Sequence, residues 1–300
     1  SGAGHPFTSI GKVINKLLQR ELDGVACLHK DSGSVISAIN AKRFFTPIVF
    51  VRLDIKHYYM SGTPHKLAHH SVQILQRAAT EAKEIIEYML FHQKVRFQTS
   101  YFDVLEGSGM GLHSSGSISD SAFYDLAEKD WAARPEIQRQ HGIYLYSRYR
   151  DDILIVAEKQ GDMGTSRYAH FIRELIKRAS EIYRVTVDSV SSHGCTFLDF
   201  DLFKASDYAT TGRLSYKVHV KPSSQKIPLT HRSAHHNNVH IAWPVAEAQR
   251  IAKLSCSHMQ FLHDKKIFCD RLRHFFIHPD VVALVQANDH YLCNVRTKTA

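Results

Sequence analysis

The run "IYLYSRYRDDILIVAE" (residues 143–158) constrains this chain more than any other. Aromatic and β-branched residues on both sides of Arg150-Asp151-Asp152 predict two apolar strands joined by a tight acidic turn. A second buried strand, "TPIVFVRLDI" (residues 46–55), delivers Asp54 after the largely apolar "IVFVRL". A sheet whose core strands end in acids must bring like charges together. Three carboxylates within a few ångströms are unfavourable unless cations neutralise them. Hard divalent ions with oxygen ligands suit that need. Two such ions about 3.5–4 Å apart can hold the attacking and leaving oxygens of an in-line phosphoryl transfer. An Asp-Asp pair between strands is by itself an ordinary turn composition. What gives it weight is the ordered set of pieces around it.

Those pieces read as a mixture of helices and strands. Helical spacing of apolar residues marks 10–22, 34–40, 71–92, 118–132 and 166–179. The longest pattern, 71–92, carries Val72, Leu75, Ala78, Ala82, Ile85, Ile86, Met89 and Leu90 on one stripe, which core packing explains. Strand-like runs follow at "KVRFQTSYFDVLEG", "YRVTVDSV" and "TFLDFDLF". Beyond residue 210 the character shifts to one strand pair around "LSYKVHV", a His-rich loop, and helices over 245–262 and 266–276. The segment "DYATTGR" (207–213) is the expected boundary. The fold expected is α+β: an antiparallel sheet backed by helices, then a mainly helical domain.

The 300 residues carry a net charge of +9, and 44% of them are hydrophobic. That apolar share fits a globular protein, and the surplus charge suits a polyanionic partner. Five scattered cysteines, an odd number with no C-x-x-C pair, argue against a disulfide framework and a thiolate zinc site. They fit a reducing compartment, so an intracellular, nuclear location is expected. No apolar stretch reaches the length of a membrane span. The segment "HRSAHHNNVH" gathers His231, His235, His236 and His240, but Asn237-Asn238 reads as a loop and no cysteine or carboxylate joins them. No G-x-S-x-G nucleophile turn is present, which leaves hydrolase readings without support.

Taken in order, "LDIKHYY", "GSGMGLHSSGSISD", "RYRDDILIV" and "FLDFDLF" resemble reverse-transcriptase motifs A, B, C and the motif E region. Within that superfamily the likeness is closest to Penelope-like retroelements, relatives of telomerase. "GSGMG" is similar to their G-T-A-M-G, and "RYRDD" to their R-Y-x-D-D. "TFLD" is similar to their F-L-D signature. Ser115 and Glu128 fall where that family has a serine and a later glutamate, and the resemblance covers nearly the whole chain.

The resemblance implies Asp54, Asp151 and Asp152 as catalytic residues and ligands of two Mg²⁺ ions, with Mn²⁺ as the alternative ion. It implies Ile55, Tyr59, Gly109, Met110, Gly111 and Tyr149 around the incoming nucleotide, Tyr59 being the aromatic gate against a ribose 2′-hydroxyl. Phe197, Leu198, Lys221, His235 and Arg250 are the implied primer and template contacts, and Lys217, Lys226 and Arg232 add to a basic face. Lys177, Lys204 and Arg184 are candidates for protonating pyrophosphate. The implied partners are an RNA template, a DNA primer and deoxynucleoside triphosphates, with no membrane. The implied domains are a fingers-to-palm remnant (1–30), a palm (31–205) and a thumb (206–300).

The sequence departs from the family pattern at "MSGTP", where motif A usually continues into T-N-x-P. It also departs at Gly116, where proline is usual, at Ser119-Asp120, where Ala-Asn is usual, and at His236, where proline is usual. None of these is an implied metal ligand. Basic fingers residues that grip a triphosphate precede the family's equivalent of residues 1–30, so weak or no activity is expected of these 300 residues alone. Two rival readings remain: an RNA-dependent RNA polymerase on the same palm, against which Tyr59 argues, and an inactive or fragmentary nucleic-acid-binding protein.

Overall fold

A computed structural model describes residues 7–109, 111–160, 166–220, 229, 233–274 and 279–287. In chain order the elements begin with α1 (Phe7–Leu22), α2 (Ser32–Asn40), β1 (Ile48–Lys56) and a 3₁₀ turn at Tyr58–Met60. Next come α3 (Pro64–Ser71), α4 (Ala79–Phe91), β2 (Lys94–Phe97), β3 (Ser100–Asp103) and α5 (Ser115–Phe123). The last continues as wider π-type turns over Tyr124–Ala132, followed by α6 (Pro135–Gln140), β4 (Ile143–Tyr149) and β5 (Asp152–Glu158). Then follow α7 (Arg167–Ala179), β6 (Arg184–Ser191), β7 (Gly194–Phe197) and β8 (Phe200–Phe203). The chain continues through α8 (Tyr208–Thr211), β9 (Ser215–Val218), α9 (Asn237–Lys253), α10 (His258–His274) and α11 (Pro279–Ala287).

The chain divides into two compact units. One gathers the described residues up to Asp31 with Thr46–His193; the other gathers Ser32–Phe45 with the residues from Gly194 onward. The first is an antiparallel sheet of order β4-β5-β1-β6 backed by helices. Alternation along β1 sends Val49, Val51, Leu53 and Ile55 into a core shared with α1, α4, α5 and α7, while Arg52, Asp54 and Lys56 take the other face. The second unit holds an antiparallel sheet of order β7-β8-β9 and the helices α9, α10 and α11 around Phe261, Phe268, Leu272 and Val285. The second unit takes in β7, β8 and β9, which form a sheet of their own.

Three sequence expectations are corrected. The helical pattern over 71–92 is split: α3 ends at Ser71, and α4 starts only after Ala78, whose left-handed backbone (φ 57°) no helix can carry through. The pattern over 245–262 breaks between α9 and α10, where the Ser257 hydroxyl accepts from the Gln260 N–H at 3.2 Å and opens a new helix. In the His-rich segment, Asn237-Asn238 begins α9 rather than lying in a loop, because the His236 ring caps the Asn238 N–H at 3.2 Å. Along α1, Ile14, Leu18 and Leu22 are buried, whereas Ile10, Val13 and Leu17 are exposed.

Candidate active site

The hairpin β4–β5 turns in two residues. Tyr149 pairs with Asp152, which leaves Arg150 and Asp151 as the loop. Such a loop needs positive φ at its first position, and Arg150 supplies it at 54° despite its side chain. The neighbouring pairing sets Asp54 of β1 opposite Asp152, and the Ile55 N–H donates to the Asp151 carbonyl at 3.0 Å. Directly opposed residues in an antiparallel pair share a face with Cα atoms about 4.5–5.5 Å apart. Asp54 and Asp152, from distant sequence segments, therefore stand side by side in the sheet.

Their electrostatics bear the mark of that meeting. Burial first, then the Asp151 charge and more weakly Asp54 and Asp188, push the Asp152 carboxyl up to about 6, with Arg52 opposing. Arg52 is itself paired with Asp188 at 2.6 Å. The Lys56 ammonium sits 2.6 Å from Asp54 Oδ2, and this hydrogen bond raises the lysine above its ordinary value. With Asp54 engaged by Lys56, no three His, Cys, Asp or Glu side chains among the described residues are arranged around one ion position. The donor set still fits a hard cation. All its oxygens are carboxylate, and the strain that raises Asp152 is what a bound cation relieves.

Beneath the tip lies a fully buried polar network. Arg148 has no exposed side-chain surface, and it donates to both Glu128 oxygens at 2.8 Å and to Asp120 Oδ1 at 2.8 Å. It also donates to the Tyr58 hydroxyl at 3.0 Å and to the Arg150 carbonyl at 3.1 Å, and it stacks over the Phe123 ring at 4.8 Å. Tyr146 adds a 2.6 Å hydrogen bond to Glu128, and Tyr58 a 2.8 Å bond to Asp120. Burial alone would push the Arg148 guanidinium down, yet Glu128, Tyr58 and Asp120 hold it charged, well above its ordinary range. On a regular helix, residues 120 and 128 would lie about 80° apart. The π-type turns after Phe123, marked by the Ala133 N–H bonding to the Glu128 carbonyl at 2.9 Å, let both serve one arginine.

Tyr59 is half-buried beside this tip, edge-on to Tyr58 with ring centroids 5.1 Å apart. Burial raises its hydroxyl, and the charges that act on it include Arg150, Asp120 and Asp151. The glycine-rich loop is tied directly to it: the Ser108 N–H donates to the Tyr59 carbonyl at 2.9 Å. Gly107 (φ 88°) is required there, because a Cβ would stand 2.3 Å from that same carbonyl oxygen. Ser115 and Ser119 brace the loop from α5 through the Ser108 carbonyl (2.8 Å) and hydroxyl (2.9 Å).

Gly109 and Gly111 have positive φ, Tyr149 ends β4 half-buried, and Met110 lies outside the described residues. The Ile55 side chain faces the core, so only its backbone is at the tip.

The expected primer and template residues belong to the second unit. Phe197 is buried edge-on against Phe200, and Leu198 occupies the β7–β8 turn at φ 52°. His235 is exposed with its ring 2.6 Å from the Ser233 hydroxyl. Arg250 is bonded to Asp199 (2.8 Å) and Glu247 (2.6 Å), and these two carboxylates balance its charge. Lys221, Lys226, His231 and Arg232 lie outside the described residues. Sequence reading missed the partnership of Arg148 with Glu128 and Asp120, and it missed Arg150 altogether. The only signal was a run of charged and polar residues inside otherwise apolar elements.

The architecture is α+β, with two acidic strand ends side by side in one antiparallel sheet. Among solved structures, the chain is similar to a telomerase of Candida albicans in complex with a fragment of telomeric RNA. That match has 13% identity and a TM-score of 0.56, and covers 93% of this chain and 48% of that one. It is also similar to the apo telomerase of Candida tropicalis, at 11% identity and a TM-score of 0.52 over 89% of this chain and 50% of that one. The likeness is one of fold, and the chain spans about half the length of either telomerase chain. No protein-family model and no curated protein matches the sequence.

Proposed function

We propose that this chain is the palm and thumb of an RNA-directed DNA polymerase of a Penelope-like retroelement. It extends a DNA primer on an RNA template with deoxynucleoside triphosphates. The observation that carries this reading is the in-register pairing of Asp54 with Asp152 beside Asp151, within a reverse-transcriptase-like fold. Asp54, Asp151 and Asp152 would hold two Mg²⁺ ions, or Mn²⁺ in their place. Bound there, such ions supply a lowered pKa at the primer 3′-hydroxyl and a counter-charge for departing pyrophosphate.

The remaining work falls to the chain's own groups. The Tyr59 ring, fixed by Tyr58 and by the glycine loop on its carbonyl, blocks the space a ribose 2′-hydroxyl needs. Gly111, where an added Cβ would meet nothing within 4 Å, offers backbone without a side chain to base pair and template. The buried Arg148 network holds the tip rigid against α5, so the carboxylates need little reorganisation when substrate arrives.

The ion pair between Lys56 and Asp54 favours a second reading, a nucleic-acid-binding protein whose acids are neutralised internally. One experiment separates the two. Primer extension on an RNA template with Mg²⁺ or Mn²⁺ is run beside Mn²⁺ binding and duplex binding. The polymerase reading expects Mn²⁺ binding and at most weak extension, both abolished by Asp151→Asn, with duplex binding kept. A chain that binds duplex but neither extends a primer nor binds Mn²⁺ is the second protein, and the polymerase reading is then wrong.

A further inference from the structure

Gly116, Asp120 and Arg150 are joined at the acidic tip by geometry the sequence does not announce. The Arg150 side chain, about a third exposed (36%), donates through Nη1 to Asp120 Oδ2. The other oxygen of that carboxylate is occupied: Oδ1 accepts from Arg148 Nη1 and from the Tyr58 hydroxyl, each at 2.8 Å. Asp120 thus grips both arginines that flank Tyr149. Gly116 lies one helical turn earlier on α5, and a Cβ built there would stand 2.6 Å from Arg150 Nη1 and 2.9 Å from its Cζ. Only glycine leaves the guanidinium its place.

That place matters because of what lies next to it. Arg150 immediately precedes Asp151, and the charges of both act on the Tyr59 hydroxyl. A guanidinium is a strong, fork-shaped partner for carboxylates, able to take two oxygens at once. Released from Asp120, Arg150 is still the chain neighbour of Asp151, and a guanidinium that turned to the Asp151–Asp152 carboxylates would occupy the oxygens a divalent cation needs.

We infer that Gly116 and Asp120 form a seat that keeps the Arg150 guanidinium off Asp151 and Asp152, leaving those oxygens open to metal. Asp120 is then a positioning residue. The inference rests on the metal assignment proposed above.

Asparagine at 120 is a selective probe. Its Oδ1 still accepts from Arg148 and Tyr58, but its NH₂ now meets the N–H groups of Arg150, donor against donor. Arg148 keeps its two 2.8 Å bonds to Glu128, so the core is preserved. Ala at 116 ejects the same guanidinium by volume instead of charge.

The test is Mn²⁺ titration of the 300-residue chain, with free ion read by electron paramagnetic resonance and folding read by circular dichroism. Asp120→Asn and Gly116→Ala should each weaken Mn²⁺ binding by about tenfold, a coupling typical of directly interacting groups. Adding Arg150→Ala to either should return the affinity to the wild-type value. A structural role alone predicts double variants no better than the singles. Unchanged affinity in Asp120→Asn and Gly116→Ala, or no recovery in the doubles, overturns the inference while the metal site stands. A wild-type chain that binds no Mn²⁺, or binds it equally after Asp151→Asn, removes the metal assignment and this inference with it. If Asp120→Asn fails to fold, the Gly116→Ala pair decides by the same comparison.

Discussion

β2–β3 and β4–β5 are both hairpins closed by two residues, and in both the first loop residue is a non-glycine with φ 54°, Gln98 in one and Arg150 in the other. Every residue of β2 and β3 is exposed, including Val95, Phe97, Tyr101 and Phe102. The interior of β5 is wholly buried, and so is most of β4. Charges follow the same divide. Lys94 and Asp103 face each other at 2.6 Å in water, whereas Arg148 and Glu128 meet at 2.8 Å with no exposed side-chain surface. Local turn chemistry makes a hairpin in either case. What packs against it decides whether its charges are ornaments of the surface or parts of a machine.

That contrast can be broken experimentally, beginning where the effect is largest. On the polymerase reading, Asp151→Asn should lower the weak primer extension expected of this chain to background, since a charge proposed to hold metal is lost. Single-turnover extension measures it, and near-normal rates would mean that the buried hairpin is as inert as the exposed one.

Glu128→Gln comes next. It strips the buried Arg148 of its bidentate partner and should cost about 3–5 kcal/mol in urea unfolding. The matching exposed change, Asp103→Asn, should leave the unfolding curve within experimental error, because solvent screens that pair. Comparable losses from the two would erase the distinction.

Tyr59→Val should relax discrimination against ribonucleotides by at least about tenfold, as read from the ratio of kcat/KM values for ribo- and deoxynucleotides. An unchanged ratio would remove the gate from Tyr59.

Asp152→Asn should act on stability in the opposite sense to Glu128→Gln. The Asp152 carboxyl is raised to about 6 in the fold, so the protonated form is favoured there. Its contribution is fully present below the unfolded value near 4 and is lost as pH rises through about 6. The variant should therefore melt higher than wild type at pH 7.5, the gap closing as pH falls from 6 to 4. A gap independent of pH would mean that the fold does not favour the protonated form of Asp152.

Smallest is Phe97→Ser on the exposed hairpin, expected to fall within about 0.5 kcal/mol of wild type.

Much of the first unit was legible in the sequence. β1, β4 and β5 followed from runs of β-branched and aromatic residues, with acids at their ends. Patterns of period 3.6 located α1, α4 and α7 but ran straight through real breaks at Ala78 and Ser257. Helices on either side of such a break bury their stripes in the same core, so hydrophobic periodicity does not register the interruption. The network beneath the tip was illegible for another reason. Asp120, Glu128 and Arg148 join only because wider turns in one helix rotate two acids toward a strand that follows some twenty residues later.

Strand patterning is a property of neighbours in the chain, and it determined by itself that this protein builds an antiparallel sheet with acids at its strand ends. Register, burial and the partner of each charge belong to groups distant in sequence. The tertiary structure alone decided that Asp54 stands opposite Asp152, and that Arg150 turns to Asp120. The reason is physical: a charge takes whichever partner packing and desolvation leave within reach, and the order of residues does not encode that choice.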